Sequence, residues 1–360
     1  MRKTSKNFAI TFCDQAESGG TGRSNAGKIV QPGKGYTLTD LQRIRSNFPD
    51  HAYSLIDISR ELLKGITGDD VKSVVIRRML ATKPKAYLLI VRGAAKTMLG
   101  GDTQPVFAQL SALPWDKKKG PRKKGGAPLN KRTRYNLCFG YTAEDPDYTI
   151  GQATVMAYTD AKVSQVRVLN EYLEKFMGER LVAEGNYYYK EDSGIRYHGD
   201  TTRRKVIGVR FGATRRLHFQ HFLKFMAVGA NGAVEVRDGD MYAFSEHAVG
   251  TDWKSSAKLT LRHAVGMGHW AEKDGKKFWE VEGLKPLREP KLTQFQYIGR
   301  AKWTRPTSLR AREGFDRRQE AFDAFMKKLA KSAKPVKHAR PAACEGINLP
   351  ADKKKRGKGE

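Results

Sequence analysis

The sequence predicts an α+β fold, and three observations carry that prediction. Over residues 1–115, three apolar runs read as strands, Asn7–Cys13, Tyr53–Ile58 and Ala86–Val91, and two segments of helical periodicity separate them. From residue 186 onward the chain turns to short runs rich in β-branched and aromatic residues, such as Val206–Gly212 and Arg216–Gln220. Between these regions lies Lys117–Arg134, with nine basic residues, no acid, and Gly and Pro that exclude a helix. The expected organisation is a small α/β domain over 1–115 and a basic linker or clamp loop over 116–134. A β-rich domain over 135–300, a helix within 301–332 and a disordered basic tail over 333–360 complete it. A chain of 360 residues is long enough for such cores.

Composition narrows the setting. There are 67 Lys and Arg against 38 Asp and Glu, a net charge of +29. That excess predicts attraction to polyanions, nucleic acid first, although a merely basic, solvated surface has the same composition. Cys13, Cys138 and Cys344 are odd in number and far apart, so they make neither a disulfide framework nor a Cys-rich zinc site. No apolar run approaches the roughly 18 residues of a membrane span, and no apolar segment follows Met1-Arg2-Lys3. The expectation is a soluble, intracellular protein, cytoplasmic or nuclear, with no membrane partner.

Each element has a local reason. Asn7–Cys13 is continuously apolar enough for a buried strand. Gly22–Lys28 comes close to a phosphate loop, but Ile29 stands where the magnesium-binding hydroxyl is needed, and Gln31-Pro32-Gly33 breaks any following helix. It reads as a flexible loop. Thr37–Phe48 is a short helix, with Thr37 or Thr39 as its cap and Leu38, Leu41 and Ile44 inward. Asp69–Leu80 repeats that spacing with Val71, Val74, Val75 and Met79. Val163–Phe176 carries Val166, Leu169, Leu173 and Phe176 on one face, and Gly178 closes it. Met241–Phe244 is a strand. Trp279–Tyr297 has room for an edge hairpin, and Phe315–Leu329 is amphipathic. The tail ends on Lys353–Arg356, a run of the kind found in nuclear import signals and polyanion-binding tails.

The stretch that most narrows the chemistry is Asn186–Asp200, NYYYKEDSGIRYHGD. His198 and Asp200 are two apart, so on extended backbone they share a face. With one distant His they would make a 2-His-1-carboxylate triad, which leaves iron positions open for a co-substrate and O₂. Two later segments read His-Ala-Val-Gly, at His247–Gly250 and His263–Gly266, and either His can be the third ligand. His247 follows Asp240 by only seven residues, which leaves little room for a strand and its return, so strand length favours His263.

The order Asn186-x-Tyr188, a turn at Glu191–Gly194, His198-x-Asp200 and a β-run resembles the AlkB-like branch of the iron(II)/2-oxoglutarate-dependent dioxygenases. The resemblance covers roughly residues 130–270 and lacks the family's usual two-Arg ending. It implies a double-stranded β-helix, or jelly roll, with iron(II) on His198, Asp200 and one of His263 or His247. It implies 2-oxoglutarate and O₂ as co-substrates, with Asn186 and Tyr188 touching 2-oxoglutarate and Arg262 as a candidate grip on its distal carboxylate. Arg262 and His263 are adjacent and cannot both face one pocket on a regular strand; with His263 as ligand, Lys276, Lys277 or an upstream Arg remain for that grip.

The substrate implied is a nucleic acid base, in DNA or RNA, that is hydroxylated or oxidatively demethylated. The basic loop, placed before the expected barrel, resembles the family's substrate lid. Its Lys117, Lys118, Lys119, Arg122, Lys123, Lys124, Lys131, Arg132 and Arg134 would neutralise phosphates. Tyr135, Tyr141 and Tyr148 beside it either stack a base or belong to the core. Two alternatives stay open: a protein side-chain hydroxylase of the same chemistry, and a non-catalytic nucleic-acid-binding jelly-roll protein.

Overall fold

Strand β1 (Asn7–Cys13) is buried at all seven positions because it lies in the middle of the largest sheet. The computed structural model describes residues 6–17, 26–64, 66, 71–121, 123, 125–190, 193–266, 296–300 and 309–332. After β1 come the two-residue pair β2 (Gln15–Ala16) and β3 (Ala26–Gly27), then α1 (Leu38–Ser46), β4 (Tyr53–Asp57), α2 (Ile58–Lys64), α3 (Val71–Ala81) and β5 (Tyr87–Val91). Helices α4 (Ala94–Leu99) and α5 (Gln104–Ala112) lead to a small hairpin of β6 (Lys118–Lys119) and β7 (Leu129–Asn130). Next are β8 (Tyr135–Gly140), β9 (Val155–Ala157), α6 (Ser164–Met177), β10 (Val182–Tyr188), β11 (Ile195–His198), β12 (Val206–Gly212), β13 (Arg215–Leu223) and β14 (Met226–Val236). The chain continues through β15 (Met241–Phe244), α7 (Glu246–Val249), β16 (Thr260–Val265), β17 (Gln296–Arg300) and α8 (Leu309–Ser332).

The result is a mixed α+β protein built mostly from antiparallel sheet. One sheet has eight strands in the order β4-β5-β15-β12-β1-β10-β8-β9, and another has five in the order β11-β16-β13-β14-β17. Only the β8–β9 pair is parallel among the described strands. From β10 to β16 the chain passes repeatedly between the two sheets: β10, β12 and β15 join the larger, and β11, β13, β14 and β16 the smaller.

Period-two alternation in β1 explains the layers. Phe8, Ile10 and Phe12 face one way, into a core with Leu41 and Ile44 of α1, Leu110 of α5 and Val166, Leu169 and Leu173 of α6. Ala9 faces the other way, among Tyr188, Val206, Leu217, Phe219, Tyr242, Phe244 and Val265 of the two sheets. A third core joins α3, β14 and α8 through Val75, Leu80, Val228, Phe322 and Met326. Thr37 and Asp40 form a reciprocal capping box at the start of α1. No described helix is long and apolar enough to cross a membrane.

Two expectations change. The segment 1–115 is not a separate unit: β1 pairs with β10 and β12, and β5 pairs with β15, so its strands belong to the same sheet as the later ones. Backbone pairing is non-local, and periodicity in sequence carries no information about it. Residues 116–134 are not simply a linker either, because β6 and β7 pair in register Lys118 to Asn130 and Lys119 to Leu129. The anticipated edge hairpin over 279–297 falls largely outside the described residues, as do Lys276, Lys277, Cys344 and the tail; its last part is β17, paired with β14.

Candidate metal centre

Strand pairing brings the three donors together. β11 and β16 are antiparallel, and His198 is registered directly opposite His263. Their rings are 4.5 Å apart, centre to centre. Asp200, two residues on, has Oδ1 3.6 Å from His198 Nε2 and Oδ2 3.9 Å from His263 Nε2. One donor atom from each residue lies within 4.8 Å of the others. Among the described residues this is the one such group of His, Cys, Asp or Glu side chains. It is a 2-His-1-carboxylate set of the kind that binds a divalent first-row metal and leaves positions open.

The middle residue of the motif is a glycine for a steric reason. A Cβ on Gly199 would stand 1.9 Å from the Gly250 carbonyl oxygen and 3.0 Å from Trp253 Cβ. Only a bare Cα lets the motif press against the C-terminal end of α7, where Asp200 N–H donates to the Val249 carbonyl.

The protonation states suit a metal, which needs neutral imidazoles and an ionised carboxylate. Burial holds the His198 imidazole below its ordinary range, and it pushes His263 down to about 3. Burial alone would raise the Asp200 carboxyl, but Arg203, His263 and His198 together outweigh it and keep the carboxyl low. His198 Nδ1 is 2.8 Å from the Arg196 carbonyl, so it carries the proton and leaves Nε2 free.

A buried polar network backs the carboxylate. Arg203 Nε is 3.8 Å from Asp200 Oδ2, and its Nη2 donates to Glu184. Asn136 Nδ2 donates to both Glu184 (2.9 Å) and Asn186 Oδ1 (2.8 Å), and Arg134 Nε also donates to Asn186. The Asn186 oxygen is thereby occupied, which turns its amide nitrogen into the group available to a ligand.

These residues line a cavity of about 810 Å³. His198, Asp200, His263, Asn186 and Tyr188 form part of its wall. The basic hairpin supplies Lys119, Lys131, Arg132 and Arg134, and the loop after α7 supplies Trp253 and Lys254. Burial lowers the Lys131 ammonium to about 8. Lys117, Lys118 and Lys123 are exposed outside the cavity wall, and Arg122 and Lys124 lie outside the described residues.

Two candidates fall elsewhere. His247 is on α7 and lines a separate cavity of about 280 Å³ with His221 and Asp252. Arg262 faces away from His263, as strand alternation requires. Its guanidinium lies 4.2 Å over the Phe222 ring and 5.3 Å over Trp253, and Nη2 donates to the Trp253 carbonyl at 3.0 Å. Arg262 therefore does not grip a ligand in this cavity.

Three important residues gave little sign of themselves. Glu184 and Arg203 have no motif. Arg210 did leave a signal, a lone charge inside the apolar run Val206–Gly212. It is 2% exposed, its guanidinium donates to Asn7, and its Nε has no partner. No carboxylate is within ion-pairing distance of it among the described residues, and burial lowers its basicity. Its Cζ lies 5.5 Å from the Tyr188 ring, and Arg215 approaches the same ring to 5.3 Å.

The sequence matches no family model. Over 268 residues it is 37% identical to a protein of Acanthamoeba polyphaga mimivirus named "Uncharacterized protein R156", and the match spans 74% of this chain and 98% of the viral one.

Proposed function

The chain belongs to the family of that mimivirus protein, and from the chemistry of its metal centre we propose an AlkB-like iron(II)/2-oxoglutarate-dependent dioxygenase acting on a nucleic acid base. The observation that carries this reading is the convergence of His198, Asp200 and His263 within 4.8 Å, at the wall of a cavity that the basic hairpin also lines.

We read the two large sheets as a jelly roll. The repeated passage of β10 to β16 between them, broken only by the β13–β14 hairpin within the smaller sheet, supports this, because a chain that keeps crossing between two sheets winds around a shared interior. β1 fills the slot between β10 and β12, so the winding is closed by the N-terminal strand.

The donor set fits iron(II), and the polar residues fit a keto dicarboxylate. Bound there, iron would couple oxidation of 2-oxoglutarate by O₂, to succinate and CO₂, with insertion of the second oxygen atom into a substrate C–H bond. Arg203 orients the Asp200 carboxylate and keeps it ionised. The Arg196 carbonyl selects the His198 tautomer. The Asn186 amide offers a donor to a carboxylate, and Tyr188 closes the same wall. Arg210 is not on the cavity wall but lies behind Tyr188, 5.5 Å from its ring, and its buried guanidinium, donating to Asn7, adds positive potential that favours an anion on that side.

The nucleic acid substrate rests on Lys119, Lys131, Arg132 and Arg134 at the cavity, together with the net charge of +29. The test measures succinate released by the iron-loaded protein. Release should rise with an oligonucleotide carrying an N-methylated base and not with basic or acidic peptides. Stimulation by peptides alone would replace the base with a protein side chain; iron-independent or absent release would end the dioxygenase reading.

A further inference from the structure

His221 serves neither the metal centre nor the cavity wall beside it, and the fold still places it on an inner sheet face. In the β13–β16 pairing it stands opposite Leu261, two residues beyond the Phe219–His263 pair, so the imidazole turns into the space between the two large sheets. The β13–β14 ladder shifts register between Gln220 and His221, the kind of irregularity that re-aims a side chain. His221 is 6% exposed, and its ring nitrogens have no hydrogen-bond partner among the described residues. A buried polar group without a partner calls for an explanation.

The ring opens into the side cavity of about 280 Å³, whose other polar lining is Lys83, Lys258, His247, Ser59 and Asp252. Ser59 Oγ accepts from the Ala86 N–H at 2.9 Å, which leaves the hydroxyl hydrogen free to donate. Lys83 Nζ is 3.7 Å from Asp252 Oδ2, while Lys258 is exposed and makes no ion pair among the described residues. Two lysines against one carboxylate leave the cavity net positive. Burial, helped by the Lys83 charge, pushes His221 down to about 3, so at neutral pH the ring is uncharged and one nitrogen carries a hydrogen to give.

This set suits an oxyanion and not a metal ion. Two lysines repel a cation, and His221, His247 and Asp252 do not converge: among the described residues, the one group of His, Cys, Asp or Glu donors within 4.8 Å of one another is at the metal centre. The donors arrive from separate elements, Ser59 from α2, Lys83 from the link between α3 and β5, His221 from β13 and Lys258 from the approach to β16. Ammonium, hydroxyl and imidazole hydrogens around one space match the several oxygens of a tetrahedral phosphate.

We infer that the side cavity is a binding site for a phosphate group, held by Lys83, Lys258, the Ser59 hydroxyl and the His221 imidazole. It is separate from the metal centre and does not rest on the dioxygenase reading. Inorganic phosphate, a nucleoside monophosphate and a nucleic acid backbone all carry this group.

The test titrates the metal-free, full-length protein with inorganic phosphate at pH 7 and follows the histidine imidazole signals by NMR. The His221 signals should move with a Kd of about 1 mM. Lys83→Ala with Lys258→Ala should weaken that response by more than about tenfold. Lys131→Ala with Arg132→Ala, on the metal-centre cavity, should leave it unchanged, which separates the two anion-attracting regions. Melting temperatures check folding, and Lys258→Ala alone, at an exposed position, carries the comparison if the double variant is unfolded. Competition then identifies the source. Displacement of phosphate by thymidine 5′-monophosphate alone assigns a terminal phosphate, displacement by a 12-mer without terminal phosphates assigns the backbone, and displacement by neither assigns the inorganic ion. His221 signals that stay fixed, a response that survives loss of the lysines, or a response to zinc and not to phosphate overturns the inference.

Discussion

The chain contains the same four residues twice, and they fold differently. His247-Ala248-Val249-Gly250 is a turn of helix, α7, that ends at Gly250 in the left-handed conformation. His263-Ala264-Val265-Gly266 is the end of strand β16. Neighbours decide the matter. Before His247 stand Ser245 and Glu246. The Ser245 carbonyl accepts from Ala248 and Val249, and the Glu246 carboxylate is held by Gly33 N–H, Gly35 N–H and Arg204. Before His263 stands Thr260-Leu261-Arg262, which pairs with β13 along its whole length. One imidazole therefore ends beside His221 and Asp252 in a small side cavity, and the other opposite His198. Metal-binding capacity follows from strand register, not from the tetrapeptide.

The comparison can be broken most directly by alanine at each histidine. His263→Ala should lower iron(II) affinity by more than about 100-fold, since it removes a ligand outright, while His247→Ala should leave it within about twofold. Anaerobic titration calorimetry with iron(II) measures both. The reverse result would return the third ligand to the helical copy.

Next in size is the support behind the ligands. Arg203→Met should cost roughly 10- to 100-fold in iron affinity, because Asp200 loses the cation that keeps it ionised and oriented. It should also destabilise the fold by about 3 kcal/mol, because the buried Glu184 loses its nearest cation and keeps only Asn136 and the more distant Arg134. Urea unfolding of the metal-free protein reads the second effect apart from the first.

On the helical copy's side, His221 sharpens the contrast, being a histidine kept neutral with no metal to serve. Burial lowers it from 6.5 to about 3. Between those values the unfolded chain binds the proton and the folded one does not, so its contribution to stability is intact above about pH 6.5 and is lost as pH falls. From pH 7 to 5 the loss should be about 2 kcal/mol. His221→Leu should flatten that part of the pH profile of urea stability, and an unchanged slope would show that another group sets it.

The smallest expected effect concerns Arg210. Arg210→Met should raise the Kd for 2-oxoglutarate about tenfold. In the ligand-free protein the melting temperature should stay level or rise, because a buried cation without an acid is removed. A fall in melting temperature alongside the rise in Kd would mean the guanidinium is structural, through its bond to Asn7.

Legibility followed the range of the interaction. Helices α1 and α6 and strands β1, β5 and β12 were readable because side-chain period and caps act within a few residues. The pair His198 and Asp200 was readable for the same reason, as was the opposition of Arg262 and His263 along one strand. Gly199 was not, because the atom that forbids a larger residue belongs to Gly250, fifty-one positions away. Trp253 carries no local signal, since nothing near it in sequence marks a cavity wall. Glu184 looked like an ordinary polar residue until β8, β10 and Arg203 enclosed it.

By itself the sequence determined the class of secondary structure along the chain, the excess of positive charge and one donor pair held two residues apart. All of these are set by local sterics or simple composition. Only the tertiary structure decided that β1 joins strands from the far end of the chain, that the basic run folds back onto the cavity and that one of two identical tetrapeptides completes the triad. Register between strands is chosen by the whole buried surface at once, and no short stretch of residues encodes it.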